Sequence, residues 1–260
     1  MNIIVCIKLV PSVMDPSMDQ EFVMQRDRVV QIINPADEAA LEAALRLKGN
    51  GSVTVITMGK PSGEDALRPL LARGVDRAVL ITDKDFAGAD TYATARTLSA
   101  AVNSLKNDLE DFDLILCGRR AIDGETGQVP PELAVLLNLT FVTNITKIDF
   151  DQDKIVCSRL LEEGTEELEL KAPAILSLCE YSYPLRLATI LGLQKAKRMQ
   201  IVPLSREELG LEKEECGLKG SPTRVRSITE QPQGLRKVTI AKNIDEGITR
   251  LSELIAEVSL

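Results

Sequence analysis

CGRRAIDGETGQVPPE, residues 117–132, decides how the rest of the chain is read. It follows the uncharged run Leu114 to Leu116 and precedes the apolar stripe Leu133, Leu136, Leu137, so it sits where a buried strand hands over to a helix. In α/β sheets, ligands bind at such strand ends. Gly118, Gly124 and Gly127 permit positive φ and close backbone approach, and the amides of Thr126, Gly127 and Gln128 lie just ahead of the expected helix start, a place that suits an anion. Arg119 and Arg120 add two cations, Thr126 adds a hydroxyl, and Pro130 or Pro131 fits a first helical turn, where an N–H is dispensable. Asp123 would accept from a ribose hydroxyl or close the turn on its own backbone. A glycine-rich connection by itself is more often a plain turn, so its neighbours must decide.

Upstream, residues 2–10 (NIIVCIKLV) form an apolar run with β-branched residues, as a strand covered on both faces would. In a parallel sheet its end, Cys6 to Lys8, points into the same crevice as the central loop. Pro11 stops it, and Val13 to Arg28 reads as polar and irregular. NPADEAALEAALRL, residues 34–47, opens with Asn34 as N-cap, Pro35 at the first position, and Asp37 and Glu38 in the first turn. Capping alone would account for those four. Ala39, Ala40, Ala43 and Ala44 also make a face small enough to lie against a sheet or a flat ligand.

Val53 to Met58 reads as a strand ended by Gly59 and Lys60, followed by a helix capped by Ser62 and Asp65 with the stripe Leu67, Leu70, Leu71. Ala78 to Thr82 is a third strand. Asp90 caps the next helix, whose stripe is Leu98, Ala101, Val102, Leu105. In ADTYATA, residues 89–95, Thr91 and Thr94 would cap that helix, face water, or bond a polar ring or ribose. The alternation predicts a mainly parallel sheet in a three-layer α/β/α fold.

Downstream, Thr140 to Lys171 alternates as antiparallel strands at the sheet's edge, with Glu163, Gly164 and Thr165 as a hairpin turn. Pro173 to Cys179 reads as the last buried strand, dividing an α/β domain (1–180) from a C-terminal arm (181–260). Residues 181–242 carry 12 Lys and Arg against 6 Asp and Glu, net +6 in a chain of net −8. Leu187, Ile190 and Leu191 beside Lys195 mark either a solvated basic segment or an arm docking on another protein. Ile244 to Val258 reads as a terminal helix.

Composition narrows the function. A charge of −8 with three tyrosines, five phenylalanines and no tryptophan argues against nucleic-acid binding. The absence of histidine excludes Ser–His–Asp, Cys–His and HExxH chemistry, so redox work would need a cofactor. The five cysteines, at 6, 117, 157, 179 and 216, never reach CxxC spacing, so buried free thiols are expected and no metal site. No cationic leader precedes Ile3, and the uncharged span Leu133 to Thr146 is too short for a membrane helix; a cytoplasmic location is expected.

NPADEAALEAAL (34–45), ADTYATA (89–95), DGETGQVPP (123–131), YPLRLATILGLQKAK (183–197) and GLKGSPTRV (217–225) follow one another in order. Over nearly its whole length the chain therefore resembles the beta subunit of electron transfer flavoprotein. The resemblance implies an adenine-nucleotide-binding fold whose C-terminal arm wraps an alpha subunit. It implies that Cys6, Asn34, Pro35, Ala36, Asp37, Met58 and Gly59 border the adenosine. Gly118, Arg119, Ala121, Asp123, Gly124, Thr126, Gly127, Gln128 and Val129 would hold ribose and phosphates, with Asp90, Thr91 and Thr94 nearby. Leu187, Ile190, Leu191 and Lys195 would meet a flavin-dependent dehydrogenase of acyl-CoA or 2-hydroxy-acid type. DGETGQ and ADTYATA resemble the anaerobic bifurcating branch, which implies FAD here, NADH as donor, and ferredoxin or flavodoxin as a low-potential acceptor. No residue is implied to act as acid, base or nucleophile, and NADH oxidation would belong to the complex. Leu9 departs from the glutamine expected after the first-strand lysine. The competing readings are a structural AMP site, and a nucleotide-sensing or adenylating protein of similar fold; neither SGGxDS nor GxxxxGK occurs.

Overall fold

Every residue of strand β1 (Ile3–Cys6) is buried, as expected of an interior strand of a sheet covered on both faces. The computed structural model describes residues 1–12, 31–106, 112–151, 154–227 and 240–258; the expected irregular stretch Val13 to Arg28 lies outside the described residues. The order in the main sheet is β11 (Ile201–Leu204), β5 (Arg77–Ile81), β4 (Val53–Met58), β1, β6 (Leu114–Gly118), β10 (Ala174–Leu178), β7 (Thr140–Asp151), β8 (Lys154–Leu161), β9 (Gly164–Leu170). Pairings from β11 through β7 are parallel, and β8 and β9 add antiparallel at the edge.

Alternate residues of the central strands serve two cores. Ile3 and Val5 pack with α1 (Pro35–Leu47) and α2 (Glu64–Leu71). Ile4 and Cys6 pack with α3 (Thr91–Lys106) and α4 (Val129–Leu137) on the other side. The fold is thus three-layered α/β/α, as read from the alternation. Because β4 and β6 flank β1 on opposite sides, the connections diverge between β1 and β6, and the crevice opens there.

Several local readings are corrected. The 2–10 run is two strands: after Cys6 the chain leaves the sheet, and β2 (Leu9–Pro11) pairs antiparallel with β3 (Gln31–Ile33). Lys8 sits at the break, its amide donating to Asp37 and its carbonyl accepting from Asn34 N. The β8–β9 turn is Glu162–Glu163, with Leu161 already paired to Gly164. Neither Ser62 nor Asp65 caps α2, which is entered through a 3-10 turn at Pro61–Gly63. Ala174–Leu178 is not the last strand, because β11 joins the outer edge of β5; its Pro203 is tolerated on an edge.

The first compact unit ends at Val225, shortly after the single-turn α6 (Gly217–Gly220), and a second comprises Arg226–Leu260. In the second, α7 (Ile244–Val258) exposes Ile244, Ile248, Leu251 and Ile255 at three- and four-residue spacing, a single apolar stripe. Among the described residues no helix is long and apolar enough to cross a membrane.

Candidate functional site

The carboxyl ends of β1, β4 and β6 and the N-termini of α1, α3 and α4 share one rim of the sheet. The sequence-predicted residues Cys6, Asn34 to Asp37, Met58, Gly59, Asp90 to Thr94 and Gly118 to Val129 all lie along it. Leu187, Ile190, Leu191 and Lys195 lie instead on the segment that leads into α5 (Ile190–Ala196) and along that helix.

α1 ties the rim together. Asn34 occupies the N-cap position but its side chain does not cap; Nδ2 donates to Arg120 O at 2.9 Å, and Oδ1 accepts from Ile122 N at 3.2 Å. Asp37 accepts from Lys8 N at 2.7 Å and Gly118 N at 2.9 Å, joining the ends of β1 and β6. Burial pushes the Asp37 carboxyl up to about 7 against the opposing pull of those amides and Asn34. Ala36 is fully buried beneath Gly118, and a Cβ on Gly118 would stand 2.2 Å from Asp37 Oδ1 and 2.7 Å from Ala36 Cβ. Gly118 is there for close approach, not for positive φ.

Within the loop, positive φ falls at Glu125 (51°) and Gly127 (62°), correcting the expectation for Gly118 and Gly124. Glu125 N closes the turn on Ala121 O at 2.8 Å. The amides of Thr126 and Gly127 have no acceptor among the described residues, and they precede Val129, the first residue of α4, with Pro130 behind it. Left-handed residues alternating with right-handed ones turn successive amides to one side, an arrangement that receives anions. A Cβ on Gly124 or Gly59 would meet nothing within 4 Å, so open space lies above both.

The charged groups of the rim are partly paired. Lys8 Nζ meets the Asp123 carboxylate at 2.6 Å. Arg119 and Arg120 reach Glu180, just beyond β10, at 2.8 and 3.4 Å. Burial pushes the Glu180 carboxyl up, but hydrogen bonds from its own backbone and Arg119 outweigh this and leave it below its ordinary value. Lys8 belongs to the stretch expected to point into the crevice; Glu180 has no local signal, because its partners are 61 and 60 residues away.

At the α3 end, Asp90 caps its helix through Ala93 N at 3.0 Å and also binds Thr223 N and Oγ1 at 2.9 and 2.8 Å. Burial raises its carboxyl, yet these bonds prevail and set it below the usual range. Thr91 Oγ1 lies 3.2 Å from Gln128 Oε1 and 3.0 Å from Glu132 Oε1; its one proton serves one of them at a time. Glu132 Oε2 is buried without a partner among the described residues, and burial pushes that carboxyl up. Thr94 adds its amide to Asp90 O at 3.0 Å. Neither thiol at the rim is poised as a nucleophile: both are buried, and a hydrogen bond with Cys6, then burial, push Cys117 well above the usual thiol range.

The sequence matches the electron transfer flavoprotein domain over residues 21–208. It is 42% identical over 258 residues to the electron transfer flavoprotein subunit beta of Thermoanaerobacterium thermosaccharolyticum, with 97% of each chain covered. The chain belongs to the electron transfer flavoprotein beta-subunit family. Subunit CarD of the caffeyl-CoA reductase-Etf complex of Acetobacterium woodii is 37% identical over 251 residues, 95% of this chain and 94% of that one. Protein FixA of Azorhizobium caulinodans is 38% identical over 247 residues, 92% of this chain and 88% of its own. For a beta-family chain the donors suit an anionic nucleotide: two amides without an acceptor among the described residues, the Thr126 hydroxyl and a guanidinium at Arg120 that is 40% exposed, while the buried Glu132 oxygen beside them offers an acceptor for a polar N–H or O–H.

Proposed function

We propose that the chain binds FAD along this rim and, assembled with an alpha subunit, takes electrons from NADH and passes them to a partner dehydrogenase and to a low-potential carrier such as ferredoxin or flavodoxin. The observation that carries this reading is the pair of amides at Thr126 and Gly127, without an acceptor among the described residues and following the left-handed Glu125 just ahead of α4, in a chain of this family. When bound, the flavin supplies the exchange between two-electron and one-electron carriers that makes electron bifurcation possible. The chain's own part is to bind and orient. The amides and Arg120 hold phosphate, Asn34 and Asp37 fix the loop that carries those donors, and Thr91, Gln128 and Glu132 form the polar wall beside it. With no histidine in the chain, no imidazole shuttles protons at this site.

In this reading residues 1–180 are the nucleotide-binding part and 181–260 the part that meets partners in the cytoplasm. The exposed Leu187, Ile190 and Leu191, with Lys195 beside them, receive the dehydrogenase. CarD is a subunit of a caffeyl-CoA reductase-Etf complex, which supports a partner of acyl-CoA type here. The apolar stripe of α7 docks on the alpha subunit.

The test is co-expression with the alpha subunit, release of bound nucleotides by denaturation, and quantification of FAD and AMP per heterodimer. Two FAD and no AMP are expected. One FAD and one AMP would overturn the FAD assignment and leave this chain a structural and docking subunit.

A further inference from the structure

Between β10 and α5 the chain runs as an irregular segment, residues 181–189, and its end together with the start of α5 carries strongly exposed aliphatic side chains: Leu187, Ile190 and Leu191 are 85%, 78% and 76% exposed. Such a stretch left to itself would sample many conformations. Here it is held at Arg186, the residue immediately before Leu187. Glu42, on the third turn of α1, accepts from Arg186 Nε at 2.9 Å, from Nη2 at 3.1 Å and from the Arg186 amide at 3.1 Å. Arg46 steadies the same carboxylate at 2.8 Å. The Arg186 carbonyl in turn accepts from Arg73 Nε at 3.1 Å.

The Glu42 side chain is 3% exposed, in a helix whose other buried residues are, Asp37 apart, alanines and leucines. Burial pushes its carboxyl up, but the hydrogen bonds from Arg186 and Arg46 outweigh it and bring the group below its ordinary value, so it is charged at neutral pH. A buried carboxylate adds little to stability that a well-packed apolar residue would not supply. What it does supply here is direction, since three of its four bonds go to one residue and include that residue's backbone.

We propose that Glu42 is a positioning residue: acting through Arg186, it holds Leu187, Ile190 and Leu191 in the conformation that docks on a partner dehydrogenase. This rests on the docking reading given above. Ordering the segment before encounter removes part of the entropy cost of binding, so the clamp sets affinity and leaves the electron-transfer step alone.

The experiment uses the assembled alpha–beta flavoprotein and two readouts: backbone amide exchange over residues 185–192, and steady-state reduction by a substrate-reduced acyl-CoA dehydrogenase as probe. Glu42→Gln, which keeps one acceptor oxygen and loses the charge, is expected to speed exchange at 185–192 about tenfold and raise KM about tenfold at unchanged kcat, each a change of about 1.4 kcal/mol. Exchange in the 118–128 loop stays as in wild type. Arg186→Gln reaches the same end from an exposed side chain, and serves if Glu42→Gln fails to fold. Unchanged exchange at 185–192 in both variants overturns the clamp. Faster exchange at unchanged KM, with Ile190→Asp raising KM, overturns the link between order and docking. If Ile190→Asp also leaves KM unchanged, the docking reading itself is what has failed.

Discussion

The loop of residues 118–128 and the segment of residues 181–192 both leave parallel strands, both lack regular structure at their start, and both are gripped by α1, yet they turn opposite chemistry outward. The loop is held by Asn34 and Asp37 at the first turn of α1 and presents amides, a hydroxyl and a guanidinium. The segment is held by Glu42 two turns further along and presents leucines and isoleucine. One helix can therefore serve two surfaces because a buried acceptor fixes backbone position without dictating what the neighbouring side chains offer to solvent. The loop also carries its own geometry in Gly127, Pro130 and a left-handed Glu125, whereas the segment takes its order from a residue 144 positions away.

The sharpest way to break the first half of that comparison is through pH. Asp37 has a folded-state value of about 7 against 3.8 for an ordinary aspartate. Between those values the folded chain keeps a proton that the unfolded chain releases. The contribution of Asp37 is therefore fully present below pH 3.8 and is lost as pH rises towards 7, on the order of 4 kcal/mol in all. Asp37→Asn removes this dependence. Urea unfolding of both proteins at pH 4.5 and 7.5 reads it as a difference between two curves, and parallel curves would show that the carboxylate is not desolvated as described.

Gly118→Ala comes next in size. The added methyl meets Asp37 Oδ1, Ala36 Cβ and the Ala36 carbonyl carbon within 2.8 Å, and the last two belong to the packed start of α1, which cannot swing aside. The expected loss is about 3 kcal/mol of unfolding free energy. Gly124→Ala in the same loop, with nothing within 4 Å, is the control and stays within about 0.5 kcal/mol. Equal effects at the two positions would mean that the loop does not press on α1.

These contacts also mark how far the sequence could be read. The alternating strands and helices, the stripes of α1 to α3, the antiparallel edge and α7 were legible because each is a local period of apolar residues. The rim was legible because strand ends, glycines and caps are also local. The pairings were not. Local pattern alone lets capping account for Asn34 and Asp37, and their grip on Arg120, Ile122 and Gly118 depends on a strand order that places β6 beside β1. β11 escaped notice because an edge strand is half-exposed, and Pro203 weakens its pattern. Glu42 is one charged residue among alanines and gives no sign of Arg186, which comes 144 positions later.

The second half of the comparison has its own glycine. Gly192 sits in the first turn of α5, and a Cβ there would stand 2.1 Å from Ala72 O, the carbonyl of the residue that ends α2, and 3.0 Å from Thr189 Oγ1, which caps α5 through Gly192 N. Alanine favours a helix over glycine by about 1 kcal/mol, so propensity alone predicts a gain. The contact is with backbone, however, and α2 is fixed by the buried Leu67, Leu70 and Leu71, so α5 must lift. The two effects largely offset, and Gly192→Ala is expected to lower global stability by about 1 kcal/mol. Amide exchange over residues 189–196 should rise while the 118–128 loop remains unchanged. A rise in both regions would show that the two surfaces on α1 are mechanically linked, and a gain in stability would show that α5 does not lie flush on α2.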